Sequence, residues 1–181
     1  MRTDTITTMI GRPEPDEAAP YYFTYIDQVS GDDPFHVIQS QLDDCRQFLS
    51  TISEEKSQHR YAPDKWSIRE VLNHITDTER TFVFRALWFA RGFTTPLPSY
   101  DQGIAAAGAQ ADAISFGAHV EEFLHVRLAT IAFFQNLPAE AWMRAGIASD
   151  NPFTVRALEF IIPGHVTHHL RIVQERYMLV A

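Results

Sequence analysis

The chain has 181 residues, of which 45% are apolar and 21% are charged, so its composition is that of a globular protein and excludes wholesale disorder. No apolar run reaches the roughly 18 residues of a membrane span, and we expect no membrane partner. The formal net charge of −8, without a basic run, argues against nucleic acid as a partner. The single cysteine, Cys45, and the lack of a secretory-signal pattern favour the cytoplasm.

The length predicts one domain over residues 1–181. Its first part, 1–33, is rich in proline, acidic residues and tyrosine. We expect this part to be an irregular N-terminal arm that packs on the domain through aromatic side chains such as Tyr21, Tyr22 and Tyr25.

Four later segments carry apolar residues at alternating steps of three and four, which predicts four amphipathic helices. The first begins at Asp33-Pro34, because aspartate caps a helix and proline fits its first turn. The second begins after Ser67, which forms a capping box with Glu70. We expect this second helix to end near Gly92.

The third helix is predicted from about 115 to 136 and the fourth from about 154 to 178. We expect Pro163 to interrupt and kink the fourth helix, because proline removes a backbone hydrogen bond. A long loop is predicted over 92–112, with a short helical turn in its alanine-rich part. No alternating pattern predicts a strand. The fold class is therefore all-α, a four-helix bundle with an irregular N-terminal arm.

Two histidines on the fourth helix carry the strongest signal for chemistry. His165 and His169 lie four residues apart, so both imidazoles face one side of the helix and can reach one ion. His74, at the margin of the second helix's apolar face, would complete a three-histidine site with a position open for water or substrate. Hydrogen-bonded core histidines would explain the same spacing. His168 lies at the edge of the face and has no assigned role.

Charged residues also interrupt the apolar faces. Glu79 on the second helix and Arg127 on the third need partners if they are buried. They either form an ion pair or line a cavity beside the metal, and Arg85, roughly aligned with His74, either faces that cavity or lies at the surface. The other histidines are expected mostly at the surface: His36, His59, His119 and His125.

Several stretches resemble the DinB-like family, also called the YfiT-like metal-dependent hydrolases, and together they span nearly the whole chain. The most specific combination joins Trp66-Ser67 and His74 to the later Gly164–His169 segment. The matching stretches are Pro13–Glu17, Tyr21-Tyr22, Tyr61–Ser67, Glu70–His74, Asp77–Arg80, Arg85–Leu87, Ala90–Gly92 and Gly164–Leu170.

This resemblance implies a four-helix bundle of the up-down-down-up type that is often a homodimer. It also implies a divalent metal, commonly nickel or zinc, held at the positions of His74, His165 and His169. The family includes S-transferases that use low-molecular-weight thiols such as bacillithiol or mycothiol, and a thiol-dependent isomerase.

Four functions therefore stay open. We favour a transferase in which the metal binds a low-molecular-weight thiol and directs it at a small-molecule substrate, with Arg85 and Arg127 lining the cavity. The same site with water would be a hydrolase, for which Glu79 is the nearest candidate general base. The third function is a metal-binding stress protein without turnover, and the fourth is a structural bundle with core histidines.

Overall fold

The computed structural model describes residues 11–178, so residues 1–10 of the predicted arm lie outside the described part of the chain, as do 179–181. The α-helices in chain order are α1 (Phe23–Ile26), α2 (Pro34–Ser50), α3 (Ile68–Ala90), α4 (Gln102–Ala109), α5 (Phe116–Gln135) and α6 (Val155–Ile172). Shorter 3₁₀ turns are Pro20–Tyr22, Lys56–Gln58, Ala111–Ala113 and Ala139–Ala141, and a π-helical segment, Val173–Met178, continues α6.

The four long helices form a closed bundle, which confirms the predicted fold class. Helix α3 packs against α5 and α6, and α2 packs against the same two helices. Two apolar clusters fill the interior. His165 lies between them, because Ile162 belongs to the first cluster and Val166 to the second. Cys45 packs inside the second cluster, where burial raises the pKa of its thiol to about 12.

The helix starts follow local capping rules. Asp33 accepts a hydrogen bond from the backbone N–H of His36 at 3.1 Å, which caps α2. Ser67 and Glu70 form the complete capping box at the start of α3, as predicted. Gly92 follows the end of α3 with φ of +83°, a left-handed conformation that favours glycine.

A two-stranded antiparallel hairpin was not expected from the sequence. Strands β1 (Ala145–Ala148) and β2 (Asn151–Thr154) pair in the register Ala148↔Asn151. Their turn has positive φ at Ser149 and Asp150, the conformation of a tight hairpin turn, but Ser-Asp is not the usual Asn-Gly or Asp-Gly pair. Strands of four residues also give little periodicity to detect.

The predicted interruption of the fourth helix is wrong, because α6 runs through Pro163 without a break. Proline removes one backbone donor, and the carbonyl of Pro163 itself accepts a hydrogen bond from Gln41 Nε2 at 3.0 Å. Packing of α6 against α2 and α3 therefore outweighs the loss of one helical hydrogen bond.

The expectation that His119 lies at the surface is wrong. His119 is only 1% exposed, and its Nε2 lies 2.9 Å from the carbonyl oxygen of Ala111. The buried side of α5 also includes Arg127 and Thr130, and both have polar partners in the bundle, whereas Leu128 is 48% exposed.

The described part of the arm lies against α6 and β2. The Glu17 carboxylate pairs with Arg156 and accepts a hydrogen bond from Thr154 Oγ1 at 2.7 Å. At Gly164, a Cβ atom would overlap the backbone carbonyl of Tyr25. The glycine therefore lets the arm touch α6 directly, one residue before His165.

Candidate metal site

Three histidines converge where α3 faces α6. His74 lies in the first half of α3, and His165 and His169 lie one turn apart on α6. Their ligating nitrogens all lie within 4.8 Å of one another, and their ring centroids are 4.4 to 5.1 Å apart. The structure thus brings together all three residues that the sequence proposed as metal ligands.

The donor set fits a divalent metal. Three nitrogens bound to one tetrahedral zinc ion lie about 3.3 Å apart, so small side-chain rotations suffice to close the set. Burial lowers the pKa of His74 to about 4 and that of His169 to about 3. Burial, with His169 beside it, holds the pKa of His165 well below its usual range. The imidazoles are therefore neutral at pH 7, which is the form that binds metals.

Neighbouring side chains orient the histidines. Thr78 Oγ1 lies 3.3 Å from His74 Nδ1, which leaves Nε2 of His74 as the free ligand atom. The ring of Trp66 lies 5.0 Å from that of His74, and the rings of Tyr25 and Phe82 contact His165 edge-on at 5.2 and 6.1 Å. These aromatic rings limit the access of water to the triad.

A cavity of about 130 Å³ opens beside His74 and His165. Arg85 lines it, together with residues from the arm, the hairpin turn and the start of α4. Among the described residues that line it, none is aspartate or glutamate. The full lining is Tyr21, Tyr22, His74, Thr78, Thr81, Phe82, Arg85, Tyr100, Gln102, Ser149 and His165.

Glu79 and Arg127 do not line this cavity but form an ion pair with an N–O distance of 2.8 Å. The other carboxylate oxygen of Glu79 accepts from Thr130 Oγ1 at 2.7 Å. Arg127 also donates to Gln41 Oε1 at 2.8 Å. This arrangement is the ion pair that the sequence offered as one of two explanations for these residues.

The surroundings of the triad include residues for which the sequence gave no functional signal. Tyr22 and Ser149 are far apart in sequence and reach the cavity only through the docking of the arm and the turn of the hairpin. His168 lies outside the triad, with its ring 5.0 Å from that of His169 and its Nδ1 3.5 Å from Gln28 Nε2.

No helix within 11–178 is both long and apolar enough to cross a membrane.

Two solved structures share this fold. YfiT from Bacillus subtilis, described as a probable metal-dependent hydrolase with an unusual four-helix bundle topology, aligns with a TM-score of 0.71 at 14% identity. That alignment covers 92% of this chain and 91% of YfiT. The mycothiol-dependent maleylpyruvate isomerase aligns with a TM-score of 0.64 at 10% identity and covers 80% of this chain. This chain spans 61% of the isomerase.

The sequence itself has no match among curated proteins. A family model does match it over residues 38–173, a stretch that includes the four long helices almost entirely and all three histidines of the triad. On that match, the chain belongs to the DinB superfamily.

Proposed function

We propose that this protein is a metal-dependent transferase that joins a low-molecular-weight thiol to a small electrophilic molecule. A divalent ion, nickel or zinc, held by His74, His165 and His169 supplies an open coordination position that lowers the pKa of a bound thiol. The observation that carries the proposal is the pairing of three neutral imidazoles with a cavity that has no carboxylate among its described lining residues.

The lack of a carboxylate favours a thiol over water as the nucleophile. A thiol is already acidic enough to ionise when a cation lies beside it, and the reaction then needs no protein base. Attack by water usually relies on a general base within hydrogen-bond reach. Glu79 was the candidate base, but Arg127 and Thr130 engage its two oxygens. Glu79 thus stabilises the interior of the bundle in this proposal and does not act as a general base.

The chain's own residues bind and orient the reactants in this proposal. Thr78 fixes the ring of His74, and the rings of Trp66, Tyr25 and Phe82 limit the access of water to the triad. Tyr22, Ser149 and Arg85 are among the polar residues that line the cavity, and Arg85 Nη2 donates to Ser149 Oγ at 2.7 Å.

The test begins with elemental analysis of protein purified without a histidine tag. We expect about one nickel or zinc ion per chain, lost in the His165→Ala/His169→Ala variant. The loaded protein is then assayed for loss of free thiol, with bacillithiol, mycothiol, glutathione or cysteine against monochlorobimane. His74→Ala is expected to abolish the reaction, while the matched variant His125→Ala, at an exposed position of α5, retains it.

Other outcomes of these assays identify the alternatives. Metal-dependent cleavage of p-nitrophenyl esters without any thiol requirement would replace the transferase with a hydrolase. Stoichiometric metal without turnover of thiols or esters would indicate a metal-binding protein. No metal in any preparation would contradict these three functions and leave the structural bundle with core histidines.

We also propose that the protein is a homodimer and acts in the cytoplasm. The lone cysteine lies buried in the core, where it forms no disulfide, which suits a reducing compartment. Equilibrium sedimentation is expected to give twice the chain mass of 20.6 kDa, and a mass near 20.6 kDa at micromolar concentration would contradict the dimer.

A further inference from the structure

We propose that Arg85 binds a carboxylate group of the molecule that enters the cavity beside the histidine triad. The substrates of this site are then small carboxylic acids. This inference rests on the proposed function, because both place a reactant in the cavity beside the triad. It adds the chemical class of that reactant.

The charge of Arg85 has no counter-charge within the described residues. Among the arginine residues within 11–178, three are at most 4% exposed: Arg69, Arg85 and Arg127. Arg69 pairs with Glu54 at 2.6 Å, and Arg127 pairs with Glu79 at 2.8 Å. Arg85 has no carboxylate within ion-pair distance in the part of the chain that the structure describes. Because an unpaired buried charge is costly, a bound anion would supply what the chain does not.

The partners of Arg85 leave most of its donors free for a ligand. Its Nη2 donates to Ser149 Oγ at 2.7 Å, and the rings of Phe82 and Phe153 lie 5.8 Å from its central carbon. Burial lowers the pKa of Arg85, and the Tyr22 phenol beside it opposes this effect. A guanidinium carries five N–H donors in a planar fork that matches a carboxylate, so a bidentate contact remains open.

The helix geometry directs Arg85 toward the triad. His74, Thr78, Phe82 and Arg85 follow one another at steps of four, four and three, so they lie along one face of α3. Side chains on a helix lean toward its N-terminus, which brings the guanidinium of Arg85 back toward His74. Both residues line the cavity of about 130 Å³, which is open on one side. The part of the acid that lies inside it must therefore be small.

The direct test compares two thiols of equal length, 3-mercaptopropionate and its neutral amide, by titration calorimetry on the zinc-loaded protein. The wild-type protein is expected to bind the acid at least about tenfold more tightly, as for a hydrogen bond to a charged group. Arg85→Gln is expected to reduce this ratio to about one without weakening amide binding. Arg91→Gln, at an exposed arginine just after α3, is the matched control and keeps the ratio.

Two results would overturn the proposal. One is equal affinity of the wild-type protein for acid and amide, which requires no variant to fold. The other is a preference that survives in Arg85→Gln, since the carboxylate would then bind the metal. Arg85→Lys retains the charge but not the fork, and it is expected to lower the ratio only in part.

A second titration separates this proposal from the transferase. Propionate and propionamide are added to the His165→Ala/His169→Ala variant, which lacks the metal site, and binding is followed by chemical-shift changes. Tighter binding of propionate that disappears when Arg85→Gln is added supports the carboxylate site even if thiols never react. No preference for propionate in this background, together with equal thiol affinities, overturns the proposal.

Discussion

Two buried polar regions share helix α3 and differ in whether their side chains have charged or hydrogen-bonding partners within the protein. In the Glu79 region, Arg127 and Thr130 engage both carboxylate oxygens, and Gln41 continues the network to the carbonyl of Pro163. In the triad, one turn earlier on α3, three neutral imidazoles face one another without a charged partner among the described residues.

This difference separates a structural network from a candidate functional site. The Glu79 network joins α2, α3, α5 and α6 through hydrogen bonds, and both carboxylate oxygens of Glu79 have partners within it. The triad instead brings three ligating nitrogens within 4.8 Å of one another, and a ligand such as a metal can use them together. Buried charges that are paired with one another stabilise a fold, whereas convergent ligating groups without a counter-charge indicate a site.

The largest expected effect comes from a substitution that disrupts the Glu79 network. Glu79→Ala leaves Arg127 buried without a counter-charge, and we expect the free energy of unfolding to fall by about 3–5 kcal/mol in urea titrations. The matched surface variant is Glu122→Ala, which removes one of two carboxylate partners of exposed Arg80 and is expected to cost at most about 1 kcal/mol. Equal effects of the two variants would contradict the structural role. Folded Glu79→Ala should still bind metal.

The second prediction concerns the triad. Removing the metal with a chelator is expected to lower the free energy of unfolding by about 3–4 kcal/mol, the value for a ligand present at 100 to 1,000 times its Kd. The apo-protein should stay helical by circular dichroism, because the network around Glu79 does not depend on metal. Thermal unfolding of the His165→Ala/His169→Ala variant should not respond to the chelator. A response there would place the metal elsewhere.

The third prediction tests the arm that covers the triad. Gly164→Ala places a Cβ against the carbonyl of Tyr25, and the overlap is expected to cost about 1–3 kcal/mol and to loosen the arm. Gly117→Ala in the first turn of α5 is the matched control, because open space surrounds it, and it is expected to stabilise the protein by at most about 1 kcal/mol. Limited proteolysis reports the arm directly. Unchanged cleavage within 11–33 would refute the contact.

The smallest expected effect concerns Glu159, whose two buried oxygens have no partner among residues 11–178. Burial raises the pKa of Glu159 well above its usual value, so the folded protein keeps the proton while the unfolded chain releases it. The stability that depends on this proton is fully present below the pKa of Glu159 in the unfolded chain. It is lost as the pH rises toward the higher pKa of Glu159 in the folded protein. Glu159→Met should therefore stabilise by about 1 kcal/mol, and more at pH 8 than at pH 5. A gain that shrinks toward pH 8 would contradict this.

The sequence determined the structural elements that depend on interactions between residues close together in the chain. Apolar spacing and capping residues predicted the four long helices nearly to the residue at Pro34 and Ile68. The four-residue spacing of His165 and His169 put both on one face for the same reason. The resemblance to a known family, and not the spacing, made His74 a strong third candidate.

Only the tertiary structure decided which buried polar groups have partners. The ion pair of Glu79 with Arg127 and the burial of His119 depend on how the helices are rotated against one another, and several rotations satisfy the same apolar pattern. The cavity joins Tyr22 of the arm to Ser149 of a hairpin that has almost no periodic signal. Contacts between such distant positions arise from the packing of the whole chain. The sequence could therefore name the three histidines and Arg85, but not the residues of the arm and the hairpin that line the cavity beside them.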